Sequence, residues 1–226
     1  MEDAIKWGPL LVKWKWIVLL ASVGVGYLLV KLRLKGMEQD QRSSILDTIT
    51  HSVWVSIGIW KFSYILFNPM SVLSYPMTLV YFSGGYKGWI LAVVSVFIYL
   101  LYKAKKQDMT IHLYIILLGL GYGGASALYH GISWVTSYND RWFHLGEILL
   151  SVVFVWWFYR RESVSQAFHG MVWLGLSQIF IHYFKDVHVG MWWGLSRDQL
   201  IFLAISLIGF IGAASPRFIR NERGAL

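Results

Sequence analysis

Seven long apolar segments, separated by short polar or charged stretches, divide this sequence of 226 residues. They lie at about 9–31, 48–67, 88–102, 111–134, 143–159, 168–184 and 198–214. An apolar helix needs roughly 20 residues to cross a bilayer, so several of these segments are short and their ends are approximate. The pattern predicts an all-α integral membrane protein with about seven transmembrane helices. No linker or low-complexity stretch interrupts it, so we predict a single polytopic domain over residues 1–226.

The composition argues against a soluble protein. Hydrophobic residues make up 57% of the chain and charged residues only 14%, whereas soluble domains carry about 25% charged residues. The 13 tryptophans fit rings that lie at membrane interfaces. The chain has no cysteine, which excludes disulfides, thiolate nucleophiles and cysteine-based metal sites. The net charge of +8 does not indicate nucleic-acid binding, because the basic residues cluster at the ends of apolar segments.

The distribution of basic residues between the segments predicts the orientation. The clusters after the first, third, fifth and seventh segments are Lys31, Arg33, Lys35 and Arg42; Lys103, Lys105 and Lys106; Arg160 and Arg161; and Arg217, Arg220 and Arg223. Basic residues favour the cytoplasmic side of a membrane. We therefore predict an outside N-terminus and an inside C-terminus, although Lys6, Lys13 and Lys15 run against this orientation.

Two stretches carry structural predictions of their own. The segment from Ile111 to Trp134 contains Gly119, Gly121, Gly123 and Gly124. Small residues allow membrane helices to approach closely, so this helix is expected to pack centrally. The segment 68–87 contains two prolines and a double glycine, and is expected to form a structured outer loop with a re-entrant or interfacial piece.

Ionisable residues inside apolar segments are the first candidates for function, because their burial in lipid is costly. They are Asp47, His51, Lys61, His130, Glu147 and His182. Each also has a structural explanation. Lys61 could extend its amine to the interface, and Glu147 could pair with His144 three residues earlier or with Lys61. A lone His130 is more often a hydrogen-bonded core residue than a ligand.

Three pairs of residues, which include His130 and His182, suggest a metal site. Ser126 and His130, Asp140 and His144, and His182 and His188 resemble the motifs of seven-helix membrane hydrolases of the haemolysin III and ceramidase type. That resemblance implies a metal held by histidines and an aspartate. The members of that group that we compare begin inside the cytoplasm, which is opposite to the orientation predicted here.

A second resemblance runs along most of the chain. Its motifs are Gly8-Pro9-Leu10 with Lys13-Trp14, Lys61-Phe62-Ser63-Tyr64, Pro76 with Gly84-Gly85, Trp142–Glu147, Gln178–Lys185, and Gly194-Leu195-Ser196 with Gln199. In this order and spacing the chain resembles bacterial prolipoprotein diacylglyceryl transferases. That family has seven helices, an outside N-terminus and an inside C-terminus. Glu147 matches its P-T-Q-L-Y-E motif, and Gln178 and His182 stand where it has Arg and Glu in R-F-x-x-E-x-x-R.

The departures from this family bear on activity. The histidine that follows the family's double glycine is missing, since Gly84-Gly85 continues into Tyr86-Lys87. The Arg and Asn of its helix-four motif are absent from the stretch 121–129. Arginine binds phosphate through a two-pronged donor that glutamine cannot replace at position 178. Ordinary transfer from phosphatidylglycerol to a prolipoprotein is therefore not expected.

Two functions remain open at this point. The first is a divergent transferase-like protein that binds a lipid, a lipoprotein or another membrane protein in an outer-leaflet cavity, without nucleic acid, metal or cofactor. Its expected substrate-binding residues are Lys61, Tyr64, Lys87, Glu147 and Gln178. The second is an active lipid- or lipoprotein-modifying transferase, possessing His130 or His182 as general base. A metallohydrolase is the second alternative.

Overall fold

The computed structural model describes residues 4–7, 10–106, 111–136, 140–161, 163–185 and 194–215. Within these residues, five helices are long and apolar enough to cross a membrane. They are Ile17–Gly36, Gly85–Lys106, Ile111–Thr136, Arg141–Arg160 and Arg197–Ala214. By the length and composition of these helices, the chain is a helical, multi-pass membrane protein.

The chain begins with a short hairpin and continues in helices. Strands β1 (Ala4–Trp7) and β2 (Leu10–Lys13) pair antiparallel, with Trp7 opposite Leu10. The helices are α1 (Trp14–Arg33), α2 (Gln39–Phe67), α3 (Pro69–Ser74), α4 (Thr78–Tyr81), α5 (Gly85–Lys106), α6 (Ile111–Thr136), α7 (Arg141–Arg160), α8 (Val164–Ile181) and α9 (Arg197–Ala214). Two 3₁₀ turns, Leu34–Gly36 and His182–Phe184, follow α1 and α8.

The predicted spans and the observed helices differ in three places. The first span was expected from residue 9, but residues 10–13 are extended and α1 begins at Trp14. Predicted spans 48–67 and 168–184 fall on α2 and α8, which are not among the five apolar helices within the described residues. Polar residues interrupt both, among them Asp47 and Lys61 in α2 and Gln166 and Gln178 in α8. The number of seven crossings and the orientation stay predictions.

The chain divides into two compact units. One comprises Met1–Arg33 with His112–Leu226, and the other Leu34–Ile111. The first contains α1 and α6–α9, and we call it the discontinuous unit. Its core lies between α6, α7 and α8, where Phe158 is 1% exposed. A Cβ atom at Gly119 of α6 or Gly170 of α8 would collide with the Phe158 ring, so both glycines make room for it.

The glycines of α6 allow close helix packing, as the sequence predicts. A Cβ atom on Gly124 would collide with Leu29 of α1. On Gly123 it would lie 2.9 Å from the Val155 side chain and 3.3 Å from the Ser151 carbonyl oxygen, both of α7. Helix α6 therefore contacts α1 on one side and α7 on the other, and any larger side chain would separate them.

Helices α8 and α9 pack closely, and a cap fixes the start of α9. The Ser196 hydroxyl accepts a hydrogen bond from the backbone N–H of Gln199. The side-chain oxygen of Gln199 accepts one from the backbone N–H of Ser196. This is a capping box, which satisfies two backbone donors at a helix start. The Gln199 side chain also donates to the Ile179 carbonyl of α8 at 2.9 Å. One residue thus caps α9 and ties it to the end of α8.

The second unit pairs α2 with α5 and folds the intervening loop onto α2. The predicted structured loop is confirmed, because the short helices α3 and α4 occupy half of it. The Gly84 amide donates to the Trp60 carbonyl at 3.0 Å, and the Trp60 indole donates to the Gly85 carbonyl at 3.2 Å. Gly85 has a φ of +58°, which favours glycine. The backbone conformation of the loop, where it folds back onto α2, thus explains the glycine at this position.

Large apolar side chains remain exposed along the helices. Leu20 and Leu66 are each 70% exposed, and Trp54 is 67% exposed. Such surfaces would cause aggregation in water. They suit contact with lipid, which agrees with the apolar composition of the spans.

Candidate functional site

The discontinuous unit gathers the polar residues that carry the sequence resemblance. Glu147 lies in the first half of α7, Gln178 near the end of α8, and His182 in the 3₁₀ turn that follows. All three are buried, with exposed fractions of 1%, 1% and 8%. The sequence separates Glu147 from Gln178 by 31 positions, and helix packing brings them into contact.

Hydrogen bonds join these three residues. The Gln178 amide group donates to one Glu147 carboxylate oxygen at 2.9 Å. The His182 Nδ1 lies 2.8 Å from the Gln178 backbone carbonyl, so Nδ1 carries a proton and donates it. The same Nδ1 lies 4.0 Å from the other Glu147 oxygen, which is too far for a hydrogen bond. In the neutral form of His182, the basic nitrogen lone pair of the ring is therefore on Nε2.

Polar atoms around Glu147 lack hydrogen-bond partners within the described part of the chain. They are the side-chain carbonyl oxygen of Gln178 and the hydroxyls of Ser126 and Ser151. Ser126 of α6 lies close enough to interact with the Glu147 carboxylate, although no bond of regular geometry forms. Ser151 lies one helical turn after Glu147. Buried polar atoms usually have partners, so these three mark a place where a partner is required.

Phe143 joins this cluster to the neighbouring histidines. Its ring centroid lies 5.2 Å from that of His182 and 5.5 Å from that of His130. The Lys185 amine lies 5.6 Å from the centre of the same ring. It also lies 3.8 Å from an Asp198 carboxylate oxygen of α9. Phe143 and Asp198 thus hold the Lys185 amine near enough for its positive charge to act on Glu147.

His130 has a partner that the sequence did not assign to it. Its Nδ1 lies 2.8 Å from the Nδ1 of His144, so one ring donates to the other and α6 is linked to α7. Both side chains are half-buried. The prediction that His130 is hydrogen-bonded is confirmed, and the predicted pairing of His144 with Glu147 is replaced by this one. The spacing of four residues from Ser126 gave no sign of the contact, because it depends on how two helices meet.

The remaining predicted site residues lie in the second unit. Lys61 and Tyr64 are half-buried on α2, and the Tyr64 ring stacks on Phe82 at 5.7 Å. Lys87, at the start of α5, is exposed, with its amine 5.7 Å from the centre of the Phe67 ring. Lys61 and Tyr64 are three residues apart on α2, and each of the two residues Tyr64 and Lys87 contacts a different phenylalanine ring. Asp47 and His51, the other ionisable candidates of α2, are exposed.

Two residues with a part in the site were missed as candidates by the sequence. Lys185 occupies the last position of the R-F-x-x-E-x-x-R motif, which could have identified it. Gln199 stands in the G-L-S-x-x-Q motif, and its serine-to-glutamine spacing is also that of a capping box. Ser151 has no such signal, since a serine in an apolar helix commonly donates to its own backbone.

The metal hypothesis finds limited support. Over the described ranges, no three His, Asp or Glu side chains converge in the way that a metal centre requires. His188, one of the predicted ligands, lies outside those ranges. The chain matches no protein-family model and no curated protein.

Proposed function

We propose that this chain is a divergent prolipoprotein diacylglyceryl transferase-like protein that binds the polar part of a lipid or lipoprotein. In this proposal it crosses a bacterial cytoplasmic membrane seven times, with its N-terminus outside. Four of the five apolar helices found among the described residues end in or just before a predicted cytoplasmic basic cluster. One of them is α5, whose last turn contains Lys103, Lys105 and Lys106. The contact of Glu147 with Gln178 also supports it, because the resemblance assigned both positions to the site.

The unpaired polar atoms around Glu147 carry the proposal. The Gln178 oxygen can only accept hydrogen bonds, the two serine hydroxyls can accept them, and a carboxylate accepts several more. The Gln178 oxygen and the carboxylate require a ligand with donors, such as a hydroxyl or an amine, whereas each serine hydroxyl can pair with a donor or an acceptor. The head group of a hydroxyl-bearing lipid has such donors. An apolar lipid tail would leave every one of these atoms unpaired, at a cost of about 1–3 kcal/mol each.

Lys185 adds the charge that an anionic ligand would require. It is the cation that lies against Phe143, and its positive charge reaches Glu147, His130 and His144. We propose that it contacts a phosphate or carboxylate while the Glu147 group binds hydroxyls. Lys61, Tyr64 and Lys87 of the second unit stay predicted contacts for the same class of ligand.

The test is lipid analysis of the purified protein. We expect the native chain to retain a hydroxyl-bearing anionic lipid, measured by mass spectrometry relative to total membrane lipid. Glu147→Gln and Ser126→Ala should lower that enrichment several-fold while the protein stays monodisperse. Gln166→Leu is the matched control, since Gln166 is half-buried on α8 away from the cluster. Equal lipid enrichment in all variants would contradict the proposal.

A second candidate function is a lipid- or lipoprotein-modifying transferase. The tautomer of His182 favours it, because a donating Nδ1 leaves a basic lone pair on Nε2. Such a base would remove a proton from a nucleophile during acyl or diacylglyceryl transfer. Incubation with phosphatidylglycerol and a prolipoprotein peptide tests this directly. Turnover that is lost in His182→Gln would establish the enzyme, whereas retained lipid without turnover would favour a binding protein.

A further inference from the structure

The end of α7 carries two arginines that the lipid-binding proposal does not use. The guanidinium carbon of Arg160 lies 5.4 Å from the centre of the Trp156 ring, and that of Arg161 lies 5.1 Å from the centre of the Trp157 ring. Each arginine thus covers the tryptophan four residues before it. A guanidinium within about 6 Å of an aromatic ring is attracted to the ring face. The two stacks therefore hold neighbouring positive charges at one end of the helix.

A stacked guanidinium keeps donors that an anion can use. Stacking engages the face of the group, whereas its N–H donors lie in the plane and point outward. This planar fork matches two oxygens of a phosphate, and lysine has no equivalent. Arg160 is exposed and Arg161 is half-buried, so a ligand can reach both. Trp157 is fixed beneath Arg161, because its indole N–H donates to the Gln166 carbonyl of α8 at 3.3 Å.

An exposed apolar stripe runs along α7 to these arginines. Leu149, Val152, Val153 and Trp156 are each more than half exposed, and their spacing of three or four residues places them on one helix face. Arg160, four residues after Trp156, continues that face at the end of the helix. Acyl chains can pack along such a stripe, whereas a soluble anion makes no use of it. The stripe and the charges together match a phospholipid better than a free phosphate.

The acidic side chains described in the discontinuous unit lie away from this end of α7. They stand in the first half of α7 or at the start of α7 or α9, and are Asp140, Glu147 and Asp198. Glu162 comes next in the sequence, outside the described residues, and leaves the stretch 160–162 with a net positive charge. A third arginine, Arg33 at the end of α1, lies 5.9 Å from the centre of the Tyr159 ring. The end of α7 is thus positively charged.

We infer that Arg160 and Arg161 bind the phosphate of an anionic phospholipid whose acyl chains lie along the exposed stripe. Basic groups at the ends of membrane helices attract such head groups. The site is separate from the Glu147 group, which lies about 20 Å away along the same helix. Its ligand needs a phosphate and acyl chains but no hydroxyl or amine. The inference therefore stands whether or not the Glu147 group binds a lipid.

The experiment titrates the purified full-length protein in detergent with phosphatidylmethanol and measures bound lipid by native mass spectrometry. This lipid has a phosphodiester charge but no hydroxyl or amine donor for the Glu147 group. Phosphatidylcholine with the same acyl chains, which has no net charge, is the comparison. We expect phosphatidylmethanol to bind about fivefold more tightly or more, since one basic residue contributes about that much. Equal displacement of the lipid by inorganic phosphate at the same concentration would overturn the inference.

Two double variants test the arginines. In Arg160→Gln/Arg161→Gln, the preference for phosphatidylmethanol should fall below about twofold. Arg160→Lys/Arg161→Lys keeps both charges but loses the planar forks, and should lose at least half of the preference. Arg42→Gln/Lys105→Gln is the matched control, because it removes two charges from other predicted cytoplasmic clusters and should keep the native preference. A native preference in the glutamine variant at 160 and 161, or an equal loss in the control, would overturn the inference.

Two further measurements locate the lipid. On the native chain, phosphatidylmethanol with a photoreactive diazirine near the head of one acyl chain should cross-link to Val152, Val153 or Trp156, and cross-links confined to other helices would contradict the site. Glu147→Gln should bind phosphatidylmethanol as the native chain does, whereas a loss there would place the lipid at the Glu147 group. Failure of the proposed function would leave both results unchanged, so the two proposals can fail separately.

Discussion

A carboxylate that is 1% exposed within a helix bundle, as Glu147 is, depends on its neighbours for compensation. Gln178 supplies one donor, and His182 is held 4.0 Å away by its own bond to the backbone. The arrangement therefore satisfies Glu147 only in part. At the scale of single residues, the site is a buried carboxylate beside three polar atoms whose hydrogen bonds are incomplete within the described part of the chain.

Replacing Gln178 with leucine should reveal how much that single donor contributes. The volume changes little, but the carboxylate loses its hydrogen bond and is left buried, at a cost of about 1–3 kcal/mol. Thermal unfolding in a mild detergent should show a lower midpoint than in Gln166→Leu. Equal midpoints would indicate that Glu147 is neutral or hydrated.

At the scale of elements, α6 is defined by what its glycines touch. Gly123 faces α7 at a distance that leaves no room for a side chain, whereas a Cβ atom on Gly131 of the same helix has nothing within 4 Å. Both positions are glycines of α6, and they differ in how closely the neighbouring helix packs against them.

Gly123→Leu and Gly131→Leu therefore form a matched pair. The first should separate α6 from α7 and destabilise the protein by about 1–3 kcal/mol, since overfilled cores shift their neighbours. The second should leave stability close to native. The check is the fraction of monodisperse protein after heating, by size-exclusion chromatography. Equal loss in both variants would mean that leucine disturbs α6 for reasons other than contact with α7.

The start of α9 offers a second comparison between elements. Ser196 is 6% exposed and belongs to a complete capping box, whereas Ser163 caps α8 with a single bond of 3.5 Å. Loss of a cap costs about 0.5–2 kcal/mol. We expect Ser196→Ala to raise amide hydrogen exchange in the first turn of α9 more than Ser163→Ala does in α8. The reverse order would contradict a role for the box.

At the scale of the whole molecule, the basic clusters predict the orientation in the membrane, and cysteine labelling tests it. The chain has no cysteine, so single cysteines can be placed without background. Ser74 and Lys105 are both exposed, and lie in the predicted outer loop and inner cluster. They suit a labelling test from either side.

We expect Ser74→Cys to react with a membrane-impermeant maleimide on intact cells, because the basic clusters assign its loop to the outside. Lys105→Cys should react only after the cells are permeabilised. The cysteine-free chain is the negative control. The opposite pattern would invert the topology, and would remove the main difference from the haemolysin III and ceramidase type.

Apolar segments and glycines were sufficient to predict the helical membrane class and the close packing of α6. A run of apolar residues predicts a membrane helix wherever it occurs, since the cost of exposing it to water is local. The close packing of α6 and the structured loop with Gly84 and Gly85 were also predicted, because a glycine signal is likewise local in the sequence. The start of α1 was not, because the bilayer rule does not distinguish four extended residues from helix.

The contacts within the site were decided by tertiary structure. The sequence identified Glu147, Gln178 and His182 as separate candidates, but helix packing across 31 positions placed one donor against the carboxylate. The partner of His130 is His144 because α6 and α7 meet at those two turns. Sequence patterns report what each segment prefers by itself, whereas a contact between helices depends on the rotation of both. This chain's sequence therefore determined a helical membrane protein, and its packing determined which polar groups can act together.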